Sequence, residues 1–418
     1  MSEHNQTSTP KRPIHAPQHQ FPVQHGELCI GDITITRLAQ RVGQTPFYAY
    51  DRQLVTASIQ DLLLAFEGKV ELHYAVKANP FPALVSHIAP QIDGFDVASA
   101  QELKIALDAG MPVTRISFAG PGKRKEELTQ AVAAGILLHI ESFREAHLLA
   151  EISNTLGLPA RVAVRVNPDF ELKSSGMKMG GGAKPFGVDA EQVPALLETI
   201  HTLGLEFEGF HLFAGSQNLR AEAIIEAQQL SYALALKLAA HAPRPVLSLN
   251  LGGGFGIPYF PGETELDTDP IITNLLELAE RTKQELPQAR LAIELGRYLV
   301  GEAGVYVCRV LDRKESRGQV FLITDGGMHH HLAASGNLGQ VIRKNYPVMI
   351  ANRADATDKE TVSITGPLCT PLDILAERME LPCAQPGDLI TVLQSGAYGA
   401  SASPQDFLSH PHVVEVLV

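Results

Sequence analysis

The stretch His73-Tyr-Ala-Val-Lys-Ala-Asn79 is the starting point for predicting the fold of this chain. A short apolar strand over residues 74–76 leads directly to Lys77, and Asn79-Pro80 ends the run. A lysine at such a position is most often solvated, because burying an ammonium costs free energy unless its charge is paired. Whether Lys77 is instead a reactive lysine depends on which residues end the other strands.

Strand and helix patterns alternate on both sides of Lys77. The predicted strands cover residues 73–76, 94–97, 115–119, 137–140, 161–166, 207–213, 247–251 and 291–294, with amphipathic helical stretches between them. Eight such repeats predict a (β/α)8 barrel. A doubly wound sheet is the alternative, and the count of eight and the lack of an early GxGxxG motif favour the barrel.

Polar residues recur where these strands end, and in a barrel those ends share the catalytic face. They are Lys77, Asp96, His139, Arg165, His211 with Ser216, Gly252 to Gly254, and Glu294 with Arg297. Each has an ordinary structural explanation when taken singly: Asp96 could cap a helix, Arg165 could form a surface ion pair, and His211 could be a hydrogen-bonded core residue. Their shared position is harder to explain in that way.

A glycine-rich turn follows the seventh predicted strand. Gly252, Gly253 and Gly254 let backbone N–H groups approach an anion closely, as a phosphate site requires, although a simple tight turn is an equal alternative. The turn lacks the Lys-Ser/Thr of a nucleotide P-loop. Arg297 can add a cation to the same phosphate. A lysine, a phosphate cradle and the carboxylate Glu294 together match the needs of pyridoxal phosphate.

Composition limits the other possibilities. The chain has 418 residues and a net charge of −12, which argues against nucleic acid or an anionic membrane as a partner. No apolar run reaches membrane-spanning length. The four cysteines lack metal or CxxC spacing and are typical of reduced thiols in a cytoplasmic protein. Residues 1–25 are polar and rich in His, Pro and Gln, which predicts a disordered tail.

The character of the chain changes after residue 301. Short strands separated by turns predict a mainly antiparallel β domain over residues 301–418. It contains Gly366-Pro-Leu-Cys-Thr-Pro-Leu-Asp373 and Ser395-Gly-Ala-Tyr-Gly399. Cys369 can be a reactive thiol or a small buried residue, and on its own the second is more common.

These motifs, taken in order, resemble those of the fold-type III pyridoxal-phosphate decarboxylases, which include diaminopimelate and ornithine decarboxylases. The matching stretches are Tyr74-Ala-Val-Lys-Ala-Asn79, Phe95-Asp-Val-Ala-Ser99, Arg165-Val-Asn-Pro168, Gly215-Ser-Gln217, Gly252-Gly-Gly254, Glu294-Leu-Gly-Arg297, Gly366-Pro-Leu-Cys369 and Gly396-Ala-Tyr398. The resemblance implies an alanine-racemase-like barrel over residues 46–300. It also implies that residues 26–45 join the C-terminal β domain, with strands over residues 28–36, and that a head-to-tail homodimer shares its active sites.

The resemblance also implies a role for each matching residue. Lys77 corresponds to the lysine that binds the cofactor covalently, and Glu294 to the acid at the pyridine nitrogen. Asp96 and Arg165 correspond to a pair that supports the lysine and the cofactor. Cys369 corresponds to the partner-subunit acid that protonates the product carbanion. The phosphate site corresponds to Ser216, Gly252, Gly253, Gly254 and Arg297, with Tyr398 reaching it from the partner.

Three positions depart from the best-known members. Phe213 replaces the histidine that stacks on the cofactor, Thr370 replaces the Asp or Glu of diamine-type members, and His329-His-His331 stands where an arginine for a distal carboxylate is expected. Arg343, in the following loop, could replace that arginine, and Thr370, Asp373 and Arg343 are the candidate substrate-binding residues. Three consecutive histidines cannot all point one way on a strand or helix, so no metal site is expected there.

These departures favour an amino-acid substrate whose far end is uncharged, such as one linked to a carrier protein. Decarboxylation of meso-diaminopimelate is the alternative. A racemase would normally have a tyrosine in place of the cysteine turn. A catalytically silent, partner-binding homologue would be expected to lose Lys77 or Cys369, and both are present.

Overall fold

The computed structural model describes residues 13–170, 177–178 and 180–418. Its strands are β1 (Val23–Gln24), β2 (Glu27–Ile30), β3 (Ile33–Thr34), β4 (Phe47–Tyr50), β5 (Glu71–Ala75), β6 (Gly94–Val97), β7 (Ile116–Phe118), β8 (Leu137–Ile140), β9 (Arg161–Asn167), β10 (Met177–Lys178), β11 (Val188–Asp189), β12 (Glu206–Leu212), β13 (Gly215–Ser216), β14 (Ser248–Gly253), β15 (Arg290–Leu295), β16 (Gly304–Ser316), β17 (Gln319–Thr324), β18 (Val348–Ile350), β19 (Lys359–Thr365), β20 (Ile374–Pro382), β21 (Leu389–Val392) and β22 (Val414–Leu417). The helices are α1 (Ile35–Val42), α2 (Arg52–Ala65), α3 (Pro82–Ile88), α4 (Ala100–Asp108), α5 (Lys125–Ala134), α6 (Phe143–Leu156), α7 (Val193–Thr202), α8 (Ala221–Ala239), α9 (Asp269–Glu285) and α10 (Arg297–Val300).

Eight parallel strands form the predicted barrel. They follow the order β5-β6-β7-β8-β9-β12-β14-β15, and pairing of β15 with β5 and of β8 with β9 makes the sheet continuous around the barrel. Side-chain caps begin several of the surrounding helices: Asp51 accepts hydrogen bonds from the N–H groups of Gln53 and Leu54, and Ser99 from that of Glu102. The fold prediction is confirmed, with strand ends shifted by one or two residues.

The barrel strands carry an apolar outer face and a polar inner face. Outward residues such as Tyr74 and Phe95 belong to one continuous apolar core with the helices. The residues that alternate with them are absent from that core and are largely polar. These inner residues include His73, Asp96, Ser117, His139, Arg165, His211, Asn250 and Glu294.

The second domain is a mixed sheet with the order β18-β21-β16-β17-β19-β20. Most neighbouring strands are antiparallel, while β17 pairs with β19 and β4 with β22 in parallel. Strand β4 also pairs with β16, although the sequence assigns its residues to the barrel domain. That assignment is wrong for β4, because its pairing partners lie far away in sequence and leave no local pattern.

The N-terminal segment differs from its prediction in two ways. The resemblance implies strands over residues 28–36, whereas β2 and β3 form a hairpin that ends at Thr34 and α1 begins at Ile35. With β1 they make a separate three-stranded sheet, whose apolar side chains pack against Phe47, Val305 and Leu389 of the β domain.

The predicted disordered tail covers residues 1–25, of which residues 1–12 lie outside the described part of the chain. Disorder is not observed for residues 13–25. Phe21 is buried, Val23–Gln24 forms β1, and His15 Nε2 lies 2.8 Å from the carbonyl oxygen of Asn345. A single buried phenylalanine anchors a stretch whose composition is otherwise polar.

Among the helices of residues 13–170, 177–178 and 180–418, none is both long and apolar enough to cross a bilayer.

Candidate active site

Lys77 lies directly beyond strand β5, in a short 3-10 turn over Val76–Ala78. Its side chain lines a cavity at the carboxyl ends of the barrel strands. Desolvation by the surrounding protein opposes the charge, but the nearby carboxylate of Glu294 favours it, and the pKa of Lys77 is raised above its usual value. The other polar residues that line this cavity are Ser216, Glu294, Arg297 and Tyr398, with Phe213 among the apolar ones.

Glu294 is buried beside this lysine, at the end of β15. Its Oε2 lies 3.3 Å from His211 Nε2 and accepts a hydrogen bond of 3.4 Å from Asn250 Nδ2. Burial favours the neutral acid, but His211 and Lys77 more than compensate and hold the pKa of Glu294 well below its usual value. The side chain is therefore a carboxylate at neutral pH.

The glycine-rich turn forms the adjoining wall and has no space for side chains. A Cβ at Gly252 would lie 2.7 Å from the Phe213 ring, one at Gly253 would lie 2.1 Å from the carbonyl oxygen of Glu294, and one at Gly254 would lie 2.2 Å from that of Gly215. Gly252 and Gly254 also have φ values of +69° and +84°. Glycine is therefore required at these positions.

Arg297 supplies a cation beside this turn. Its Nη1 donates a hydrogen bond of 2.7 Å to the Tyr259 hydroxyl, and its guanidinium stacks on the rings of Tyr259 and Tyr398. The Nε atom is buried without a hydrogen-bond partner among the described residues. The cation and Ser216 face the same cavity, which suits a phosphate.

Asp96 and Arg165 are buried in the barrel, and each has a charged partner. Asp96 accepts a hydrogen bond from Ser117 and lies 3.3 Å from His73 Nδ1. Burial disfavours charge on His73, but Asp96 and Glu71 raise the pKa of His73 to about 10. This histidine is therefore an imidazolium at neutral pH.

Arg165 is paired on the other side of the barrel. Its Nη1 donates a hydrogen bond of 3.0 Å to Glu141, and its guanidinium stacks on the Phe186 ring. The charges of both Asp96 and Arg165 reach Lys77, in opposite directions. They affect the lysine through the field inside the barrel.

Tyr398 corrects one part of the sequence prediction. It was expected to reach the phosphate site from a partner subunit, but in this structure it lies in the cavity of its own chain. Its backbone N–H donates to the carbonyl oxygen of Ala78 at 2.8 Å, and Asn79 Nδ2 donates to that of Gly396 at 2.9 Å. The Gly396-Ala-Tyr398 motif thereby holds the turn that presents Lys77.

The cysteine turn lies away from this cavity. Cys369 is exposed and does not line the cavity of its own chain. Asp373 fixes the turn: its Oδ2 accepts from the Leu368 N–H at 2.8 Å and its Oδ1 from the Met328 N–H at 2.6 Å. Asp373 was predicted to bind substrate. In this structure it is buried with both oxygens occupied, so it positions the turn instead.

The other two predicted substrate residues lie near this turn. Thr370 is half-buried beside Cys369. Arg343 donates to the carbonyl oxygens of Ser335 at 2.9 Å and Ile374 at 2.7 Å, and burial lowers its pKa. Its guanidinium is thus already engaged by backbone in this chain.

The histidine run is buried in the β domain. His330 Nε2 lies 2.8 Å from the carbonyl oxygen of Pro411, and His331 Nε2 lies 2.9 Å from the hydroxyl of Ser395. Burial is the main reason that the pKa values of His329 and His331 fall to about 3. In the described part of the chain, no group of three His, Cys, Asp or Glu residues could hold a metal ion.

Several site residues were not identified from the sequence. His73, Ser117 and Asn250 face the barrel interior, and strict alternation with their apolar neighbours could have revealed them. Tyr259 contacts Arg297 from an irregular loop, and no periodic signal could have predicted that contact.

Comparison with known proteins agrees with this geometry. Residues 52–301 match the sequence family described as pyridoxal-dependent decarboxylase, pyridoxal binding domain. The L-glutamyl-[BtrI acyl-carrier protein] decarboxylase of Niallia circulans is 40% identical, covering 92% of this chain and 90% of the relative. The diaminopimelate decarboxylase of Aquifex aeolicus is 34% identical, covering 94% and 91%.

A solved structure is similar over nearly the whole chain. The diaminopimelate decarboxylase of M. jannaschii in complex with L-lysine superposes with a TM-score of 0.87 at 26% identity, covering 96% of this chain and 93% of that one. The fold and the lysine-centred site define a lyase of the alanine-racemase-like class. The chain belongs to the pyridoxal-dependent decarboxylase family and is an amino-acid decarboxylase.

The residues present fit the cofactor that this family uses. The cavity contains a lysine, a carboxylate and a cation, and one wall is a glycine turn that any Cβ would obstruct. The partnerless Nε of Arg297 gives that wall a donor for an anionic group.

The glycine turn yields a test. We expect Gly254→Ala to weaken binding of pyridoxal phosphate to the apoprotein about 10-fold to 100-fold, because a strained backbone costs about 1–3 kcal/mol and the turn must move. Gly262→Ala is the control: it has a similar φ of +87°, and its Cβ would meet only Pro13, at 3.4 Å. Absorbance titration measures both affinities. Unchanged affinity in Gly254→Ala would contradict the assigned phosphate site.

Proposed function

We propose that this enzyme removes the α-carboxylate of an amino acid whose far end is uncharged, using pyridoxal phosphate bound at Lys77. The observation that carries this proposal is the cavity in which Lys77, Glu294, Arg297 and the glycine turn meet. Pyridoxal phosphate requires these three kinds of contact together.

Each residue has a defined task in this proposal. Lys77 would hold the cofactor covalently through its amine. Ser216, Arg297 and the N–H groups of the glycine turn would bind its phosphate. Glu294, held ionised by His211 and Lys77, would supply the carboxylate that keeps the pyridine nitrogen protonated. When bound, pyridoxal phosphate supplies the electron sink that stabilises the carbanion left as carbon dioxide departs.

The proton that replaces the carboxylate comes from Cys369 of a second subunit. Cys369 is exposed and lies outside the cavity of its own chain, which supports a site shared across a homodimer. The exposed apolar residues of the same part of the β domain also support such a contact. They are Leu338, Val341, Ile342 and Leu372.

The proposed substrate class follows from the residues beside this cysteine. Thr370 provides a hydroxyl, Asp373 is occupied by two backbone donors, and Arg343 is occupied by two carbonyl groups. A distal ammonium or carboxylate would therefore lack a free partner of opposite charge among these three residues, at a cost in binding. The likeness to a decarboxylase of a carrier-linked glutamyl group agrees with such a neutral, amide-like or thioester-like end.

The assignment of Lys77 can be tested by chemical trapping. We expect the holoenzyme to be yellow and to lose that colour on borohydride reduction, with the cofactor found on the peptide that contains Lys77. Lys123 is the internal control, because its ammonium is bound to Glu145, Gly120 and His139. Label on a lysine other than Lys77 would refute the assignment.

The shared site can be tested by mixing inactive chains. Lys77→Ala and Cys369→Ala should each be nearly inactive, and a heterodimer of the two should regain up to about half the activity per dimer, because one intact site is formed. Tandem affinity tags isolate the heterodimer for the assay. Cys383→Ala is the matched control and should stay active. Absence of recovery in purified heterodimer would mean that each chain uses its own cysteine.

Release of carbon dioxide from a panel of amino acids tests the substrate class. Glutamyl groups linked to a carrier protein, or amidated at the far end, should be turned over at least about tenfold faster than lysine, ornithine or meso-diaminopimelate, since an unpaired distal charge costs well over 1 kcal/mol. Thr370→Glu should improve the diamines. Efficient decarboxylation of free meso-diaminopimelate by the unmodified enzyme would instead assign it to lysine formation.

A further inference from the structure

Two histidines lie next to Glu294 inside the barrel, and the proposed reaction gives them no role. His211, on β12, places its Nε2 3.3 Å from Glu294 Oε2. His139, on β8, stacks on His211 with ring centroids 4.4 Å apart and planes inclined by 29°. The three side chains are buried, with exposed fractions of 2%, 1% and 5% for His139, His211 and Glu294.

The ring nitrogens of His211 have no ordinary hydrogen-bond partners. Neither forms a well-aligned hydrogen bond with a described residue, so the short contact to Glu294 Oε2 is mainly one of charge. A carboxylate buried to this degree requires a nearby cation to stay ionised. Of the two stacked rings, only His211 is in direct contact with that carboxylate.

The stack itself limits the pair to one positive charge. Two imidazolium ions 4.4 Å apart in a buried site would repel each other strongly. Burial and the neighbouring His211 lower the pKa of His139 well below its usual value. The ring of the pair that faces the carboxylate is His211, and positive charge on it lowers the pKa of Glu294.

We propose that His211 is a positioning residue that keeps Glu294 ionised for the pyridine nitrogen, and that His139, the neutral ring stacked on it, adds no charge to the pair. This inference rests on the proposed role of Glu294 in cofactor binding. It adds that the residue which keeps the Glu294 carboxylate ionised, His211, lies on a different strand.

Other charged groups surround this pair, and the charges of Lys77 and Arg165 lower the pKa of Glu294 as His211 does, though by less. All of these groups lie on other elements of the barrel. They are Lys77 beyond β5, Arg165 on β9 and Lys123, which donates to the carbonyl oxygen of His139, while Asn250 on β14 offers Glu294 a neutral donor. In the part of the chain that the structure describes, His211 is the titratable side chain in ion-pair contact with Glu294, at 3.3 Å from Oε2.

The sign of the pH effect follows from the charge. A carboxylate with a depressed pKa supplies its interaction at neutral pH and loses it as the pH falls through that pKa. Removing the His211 cation raises the pKa of Glu294. Binding of pyridoxal phosphate should then weaken at a higher pH than in the unmodified protein.

The experiment compares two cofactors. His211→Gln should move the acid limb of the pyridoxal phosphate binding curve up by one pH unit or more, so that at a pH on that limb the variant binds about tenfold more weakly than the unmodified protein. The affinity of the variant for the carbocyclic analogue, in which CH replaces the pyridine nitrogen, should not fall, because that analogue has no N–H to donate to Glu294. Absorbance titrations between acid and neutral pH measure the affinity for each cofactor and the position of the acid limb, and they require no substrate turnover.

His139→Gln is the matched second variant, and it keeps the assay decisive if His211→Gln fails to fold. The neutral ring that is lost does not contact Glu294, so the acid limb should stay where it is in the unmodified protein. An upward shift in His139→Gln, an unmoved limb in His211→Gln, or equal weakening of both cofactors would each overturn the proposal. Failure of the unmodified protein to bind pyridoxal phosphate would instead refute the proposed function itself.

Discussion

A carboxylate buried inside the barrel, Glu294, is the constraint on which the arrangement of the site depends. Its charge is stabilised from four other strands or strand ends: His211 on β12, Asn250 on β14, Arg165 on β9 and Lys77 beyond β5. These groups converge on one point only if the sheet closes, since β5 and β9 lie on opposite sides of β15 in the strand order. The ionised site therefore depends on the closed barrel, because a buried carboxylate and a lysine of raised pKa each need other charges nearby.

The β domain contributes backbone hydrogen bonds as well as side chains to this site. The Tyr398 N–H donates to the carbonyl oxygen of Ala78, and the carbonyl oxygen of Gly396 accepts from the side chain of Asn79. Ala78 and Asn79 lie at the end of the lysine turn. The Tyr398 ring stacks on Arg297, so one short motif contacts both the lysine turn and the phosphate-binding cation. His331 in turn contacts Ser395 at the start of that motif. This explains why a motif more than 300 residues beyond Lys77 belongs to the same site.

The features predicted correctly from the sequence are those that have a local periodic pattern. All eight barrel strands were located, and Lys77, Phe213, Ser216, Gly254, Glu294 and Arg297 do line one cavity, because alternation and strand ends are properties of neighbouring residues. The errors concern contacts between distant segments. Each error involves residues that no local sequence pattern relates. The three cases are the pairing of β4 with β16, the position of the Tyr398 ring in the cavity of its own chain, and the two backbone donors to Asp373. A carboxylate in a turn looks the same in sequence whether it accepts from backbone or from substrate, and only the packing of the Met328 turn against it decides.

The same distinction between local and distant contacts applies to the residues proposed to bind the cofactor and to those proposed to select the substrate. The groups proposed to bind the cofactor come from the rigid barrel and from a motif hydrogen-bonded to it, where even one added Cβ at Gly253 would approach a carbonyl oxygen to 2.1 Å. The residues proposed to contact the far end of the substrate, Thr370 and the loop of Arg343, belong to turns of the β domain held by a few hydrogen bonds. Turns tolerate substitution that a packed barrel does not. A chain can therefore share its barrel with decarboxylases of a carrier-linked glutamyl group and of diaminopimelate alike, and differ from either in a few turn residues.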